Sequence, residues 1–276
     1  MGSNPVQIIP RWSTDRGHAN HGWLKTFHTF SFASYHDSTH SSFGALRVIN
    51  EDRVAPGTGF GTHSHQHFEI FSYVVGGQLE HQDSMGNTEV LSRGALQSTS
   101  AGTGISHSEK AYGPQEVHFL QIWASPRPGD GNKQPAYFTR NFRDEEKHNR
   151  FVSVVAPDDS SLVSINRDDK GPAPIRSQLW MYASLIDPGV SLVHEHVGKE
   201  QGQPKKGYIH LIQTSGYNPG KPSGNAVRIG SKSSTGDSQV ELREGDGAYL
   251  KYEGSHDLEV TNVGQGVAEV LLFDLD

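Results

Sequence analysis

Short apolar runs that close on glycine recur along this chain, and they restrict it to a fold made of strands. Ile70-Phe-Ser-Tyr-Val-Val75 ends on Gly76-Gly77, and Tyr208-Ile-His-Leu-Ile-Gln-Thr-Ser ends on Gly216. Such runs are rich in β-branched and aromatic side chains, which pack well on a pleated surface, and they are short for an ordinary helix. The 31 glycines and 14 prolines among 276 residues punctuate many of them and leave few long amphipathic helical patterns. An all-β sandwich or barrel is expected.

The order of these runs points to duplication. A strand over residues 179–186, a turn at Asp187-Pro-Gly189 and the pair His194/His196 echo the chain around His63 and His65. Gly245-Asp-Gly-Ala-Tyr-Leu250 parallels Gly94-Ala-Leu96, and residues 269–275 read as a closing strand. The densest Pro/Gly cluster, residues 124–135, is the expected break between two domains, 1–130 and 131–276. The charged run 140–150 reads as a solvated face or short surface helix. Residues 43–50 read as a strand that stops at the polar Glu51-Asp52, and an amphipathic strand is expected from Phe27 onward.

Composition narrows the function. Lys and Arg number 24 against 31 Asp and Glu, a formal charge of −7, so the basic face that direct nucleic-acid binding needs is not expected. There is no cysteine, so any metal must be held by nitrogen and oxygen. The opening residues lack the charged and apolar regions of a signal peptide, and no window approaches the roughly 20 apolar residues of a membrane span. A soluble intracellular protein, with no membrane partner, is expected.

The residues that carry chemistry lie between Gly57 and Glu109. Side chains alternate faces along a strand, so His63, His65, His67 and Glu69 are expected on one face, where two imidazoles could converge on one ion. A second half-site is expected from His107 and Glu109, spaced i, i+2 after a turn at Gly102 and Gly104. A hairpin over residues 79–87 lies between the halves, and a meander is expected to join them. Spacing alone lets either Glu69 or Glu109 be the carboxylate ligand. His194 and His196, followed by Glu200 and His256, could form a second site, though a degenerate copy is expected. His18, His21 and His28 read as packing or turn residues.

Gly57 to Gly76 fits the first cupin motif at every fixed position: glycine, five residues, His-x-His, three residues, Glu, six residues, Gly. The second cupin motif departs, with Ser100 in place of its proline and His107 two residues late. This combination resembles the pirin family. Arg16-Gly-His-Ala-Asn-His-Gly-Trp23, Ala45-Leu-Arg-Val-Ile-Asn50, Glu80-His-Gln-Asp-Ser-Met-Gly-Asn87 and Ala101-Gly-Thr-Gly-Ile-Ser-His-Ser-Glu109 carry the same resemblance, closest to the bacterial quercetinase branch. It implies a bicupin of two antiparallel β-barrels (double-stranded β-helices) facing each other. His63, His65, His107 and Glu109 would hold one divalent metal ion, Fe(II) first, with Ni, Cu, Mn, Co or Zn as alternatives. The implied activity is flavonol ring cleavage by O2, releasing carbon monoxide and a depside, with Glu109 as the catalytic proton acceptor and Phe68, Phe71 and Phe119 as candidates to flank the flat aromatic substrate. The alternative implied by the family is a metal-dependent transcriptional coregulator that binds a protein partner. The expected location is cytoplasmic, and also nuclear for a eukaryotic member.

Overall fold

The computed structural model describes residues 6–197, 205–231, 239–252 and 257–275, so Glu200 and His256 lie outside the described residues. The chain divides into two compact units, and the division is not a single cut. β1 (Gln7–Arg11) belongs with the last strands of the chain. The N-terminal unit, Gly17–Arg143 with Val154–Gln178, begins with β2 (Gly17–Asn20), β3 (Leu24–His28), β4 (Leu46–Val54), β5 (Gly59–His65) and β6 (Glu69–Gly76). It continues through β7 (Gln78–Asp83), β8 (Thr88–Ser92), β9 (Ala95–Ser100), β10 (Ile105–Ala111), β11 (Val117–Ala124) and β12 (Ala136–Asn141). β13 (Val152–Pro157) then pairs in parallel with β14 (Ala173–Ile175). The C-terminal unit holds β15 (Leu179–Ile186), β16 (Ser191–Glu195), β17 (Lys205–Leu211), β18 (Ala226–Gly230), β19 (Val240–Arg243), β20 (Gly247–Tyr252), β21 (Asp257–Asn262) and β22 (Ala268–Leu275).

Two antiparallel sheets build the N-terminal unit, in the orders β12-β9-β6-β11-β4-β3-β2 and β5-β10-β7-β8. The C-terminal unit repeats both, as β1-β20-β17-β22-β15 and β16-β21-β18-β19. Each strand of the second set matches one of the first in the same place, which is the duplication read from the glycine-closed runs. β1 fills beside β20 the place that β12 fills beside β9. Along strands with one outward face, such as β7 and β21, buried and more exposed residues alternate and set the register, because a slip of one residue would turn the buried side chains outward. Leu79, Val74, Val117 and Phe119 lie in the core of the first unit, and Ile209, Leu250, Leu258, Val260 and Leu272 in that of the second.

Several boundaries differ from those expected. Strand pairing in the N-terminal unit runs past residue 130, since β12 adds to β9; the Pro/Gly cluster is a loop within the unit. β4 does not stop at Glu51-Asp52 but carries both acids into the interior, where Glu51 Oε1 accepts from His118 Nε2 at 3.1 Å. β3 ends at His28, whose Nδ1 donates to Asn50 Oδ1 at 2.8 Å, so the alternation after Phe27 is not a longer strand. The run 140–150 includes a short helix, α1 (Asp144–Lys147), but it is not all surface: Arg140 and Lys147 are buried. The Arg140 guanidinium donates to the carbonyls of Thr139, Ser164 and Arg167. No described helix is long and apolar enough to cross a membrane.

The turn that delivers β10 depends on one glycine. Gly102 has φ +51°, and a Cβ there would stand 2.0 Å from the Lys133 carbonyl oxygen. That carbonyl also accepts from Thr103 N, so it cannot move away freely. Gly102→Ala is expected to destabilise the protein by about 2–4 kcal/mol through left-handed strain and the backbone clash. Urea unfolding of the two proteins measures it.

Candidate metal centre

β5 and β10 lie side by side with His63 opposite His107, so the two half-sites are joined by direct pairing. The expected meander is therefore corrected: β10 inserts between β5 and β7, and the β7–β8 hairpin flanks the pair. His63 Nε2 and His107 Nε2 are 3.2 Å apart, and the His65 ring stands within 4.8 Å of the rings of both, centroid to centroid. Two nitrogens about 2.1 Å from a common ion, at an angle somewhat above a right angle, stand about 3 Å apart, which is the separation here. One ligand atom from each of His63, His65 and His107 falls within 4.8 Å of the others, the arrangement an ion needs.

Two of the imidazoles, His65 and His107, are biased toward the neutral form that a ligand needs. Burial, reinforced by repulsion from His107 and His63, pushes the His65 pKa down to about 4, and burial likewise lowers that of His107. His63 Nδ1 donates to the Gly61 carbonyl at 2.8 Å, which leaves the lone pair on Nε2, facing the cluster. A divalent cation fits this donor set.

Glu109 lies behind His107 rather than in the trio. It forms a second group with His107 and His81, again with ligand atoms within 4.8 Å of one another. A register shift between His107 and Glu109 sets it opposite Phe60 on β5 and His81 on β7. Its carboxylate accepts from Ser72 Oγ (2.9 Å), Gln97 Nε2 (3.0 Å) and Gln121 Nε2 (2.6 Å). Ser72 on β6 is the register neighbour of both Gln97 on β9 and Gln121 on β11, so the three form one polar row across the larger sheet, aimed at Glu109. His81, fully buried, donates through Nε2 to Asp83 at 3.3 Å and stacks on Tyr137. Sequence reading passed over this row and His81. Their signal was a polar residue in the middle of an apolar strand, as in Phe71-Ser-Tyr73 and Leu120-Gln-Ile122.

His67 and Glu69 leave the face that alternation assigned to them. The strand breaks after His65, His67 turns left-handed at φ +68°, and its Nδ1 donates to the Gly131 carbonyl. Glu69 opens β6 and accepts from Ser100 Oγ (2.6 Å) and Arg176 N (3.0 Å), so it belongs to neither histidine group. Burial raises its pKa. A raised folded pKa favours the neutral acid, so the stability Glu69 contributes is full below its ordinary value of 4.5 and declines as pH rises toward the folded value. Glu69→Gln, whose amide oxygen can accept both hydrogen bonds, is expected to remove that decline and to leave metal content unchanged. Melting curves between pH 4 and 8, with elemental analysis, check both.

The second histidine pair is occupied otherwise. His194 Nε2 donates to the Asp274 carboxylate at 3.0 Å, and His196 Nε2 to the Lys206 carbonyl at 2.7 Å. Register places Leu258 opposite His194, where the first unit has His107 opposite His63, and Val260 follows where Glu109 stands. Among the described residues, both groups able to hold an ion lie in the N-terminal unit. Phe71 and Phe119 are completely buried core, whereas Phe68 is half-exposed against Trp123.

Paired repeats of an antiparallel β-barrel, with a three-histidine cluster in one of them, define a bicupin. The pirin family model matches residues 11–124. A quercetin 2,3-dioxygenase of Escherichia coli K12 is 37% identical over 97% of this chain and 98% of its own length. The chain belongs to the pirin family. The crystal structure of YhhW from Escherichia coli superposes with a TM-score of 0.77 at 33% identity, covering 98% of both chains. The structure of that bacterial pirin in complex with nickel(II) gives 0.75 at 33% identity, over 98% of this chain and 99% of the other.

Proposed function

We propose that this chain is a quercetin 2,3-dioxygenase-like enzyme, converting a flavonol and O2 into a depside and carbon monoxide at one divalent ion held by His63, His65 and His107, with Glu109, which stands behind His107, as the fourth ligand. The observation that carries it is the convergence of His63, His65 and His107 from two paired strands, in a chain with a full-length relative of that name. Fe(II), or Ni, Cu, Mn, Co or Zn in its place, would supply Lewis-acid polarisation and a template for the two reactants. Glu109 accepts the proton of the flavonol 3-hydroxyl, and the donors on Gln97, Ser72 and Gln121 fix the direction in which its oxygens point. Trp123, edge-on to His65 at 4.9 Å, screens that side of the cluster from water. In this reading the N-terminal unit is the metal-binding domain and the C-terminal unit a degenerate copy. The protein works in the cytoplasm; the bacterial relatives give no support to a nuclear location.

Oxygen uptake and loss of flavonol absorbance, followed on protein loaded with one defined metal at a time, test the proposal. Coupled consumption of both is expected with at least one first-row metal. Absence of bleaching with all of them would overturn the reading and leave the coregulator alternative, a metal-dependent protein-binding module.

A further inference from the structure

Next to the histidine cluster is a cavity of about 550 Å³ that the reaction as described does not use. Its walls include Phe32, Phe68, Trp123, Val48 and Arg47, with Asp37 at one side. Trp123 is shared between cavity and cluster: its ring meets His65 edge-on at 4.9 Å, Phe32 edge-on at 5.6 Å and Phe68 at 5.5 Å. Val48 pairs with Trp123 across β4 and β11, which sets Arg47 one residue away from the same wall.

The charges in this cavity are unevenly engaged. The Asp37 carboxylate already accepts from Thr39 N (3.0 Å), Thr39 Oγ1 (2.6 Å) and the Tyr35 hydroxyl (3.4 Å). Arg47, half-buried, has no carboxylate or carbonyl partner among the described residues. A guanidinium next to aromatic faces matches a flat ring that carries an acidic oxygen, since its fork donates two parallel hydrogen bonds to a carboxylate while the ring stacks on Phe or Trp.

We propose that this cavity binds a planar aromatic anion, with the ring against Phe32, Phe68 and Trp123 and its carboxylate or phenolate on the Arg47 guanidinium. For the flavonol reading this deepens the substrate class: the molecule presents its metal-directed oxygens past Trp123 and leaves an ionised phenol on Arg47. Only that identification of the ligand rests on the proposed reaction.

The test uses metal-free protein and two probes of equal size, 2-naphthoate and the neutral 2-naphthamide, titrated calorimetrically at pH 7. Naphthoate is expected to bind at least about tenfold more tightly. Arg47→Ala should erase the preference, Arg47→Lys should keep part of it, and Trp123→Leu should weaken both probes alike, with circular dichroism confirming that each variant is folded. Equal affinity for the two probes, no binding of either, or a preference that survives Arg47→Ala overturns the assignment. A protein that cleaves quercetin but lacks the preference sinks the cavity proposal alone. One that binds naphthoate through Arg47 but cleaves no flavonol sinks the proposed reaction alone.

Discussion

Replacing His107 by alanine should strip the protein of its metal and reduce flavonol turnover to background. His107 belongs to both groups of potential ligands, the trio with His63 and His65 and the trio with His81 and Glu109, so no rearrangement among the remaining side chains restores a full set. A metal site worth about 10–16 kcal/mol in all, shared over four ligands, loses about 3–4 kcal/mol with one of them, or two to three orders of magnitude in affinity. Elemental analysis after dialysis against a weak chelator reads the loss. His194→Ala is the control: its imidazole serves Asp274, so metal content should stay at the parental value while stability falls by about 1–3 kcal/mol as that buried carboxylate loses one donor and keeps Val197 N. Equal metal content in parent and His107→Ala would remove the proposed centre.

Glu109→Gln should cost about a hundred- to ten-thousandfold in turnover while the fold persists. The amide keeps the shape of the carboxylate and can still accept from Ser72, but it can no longer take a proton. It also turns an amino group toward the amide of Gln97 or Gln121, each of which now donates to Glu109. The expected signature is a fall in kcat much larger than the rise in KM, together with retained binding of the three histidines to the ion. Full turnover in Glu109→Gln, on protein of verified metal content, would show that the proton leaves by another route.

How far these features could be read beforehand depends on the range of the interaction that fixes each. Alternation along one strand is local, so His63 and His65 were legible; the turn after them was not, because residues 66–68 contain neither glycine nor proline to announce it and His67 takes up the left-handed conformation itself. The i, i+2 pairing of His107 and Glu109 was legible too, but the register shift that sends one to the histidines and the other to the polar row depends on the partner strand. Gln97, Ser72 and Gln121 are far apart in sequence and meet only when three strands settle side by side. Glycine-closed runs revealed the repeat; they could not reveal that β10 threads between β5 and β7. Likewise, the Pro/Gly cluster, expected as the break between domains, is a loop within the N-terminal unit, because turn residues say nothing about which sheet the next strand will join.

The partnership of β1 with β20 has a consequence for how the molecule is made. β1 waits for a mate that lies far along the chain, so the later barrel closes only after β20 has been made. Such a long-range closure is slow, and until it happens β20 presents a bare rim of amide and carbonyl groups that another nascent chain could capture. Deleting β1 would therefore injure the C-terminal unit, not the unit that follows β1 in sequence.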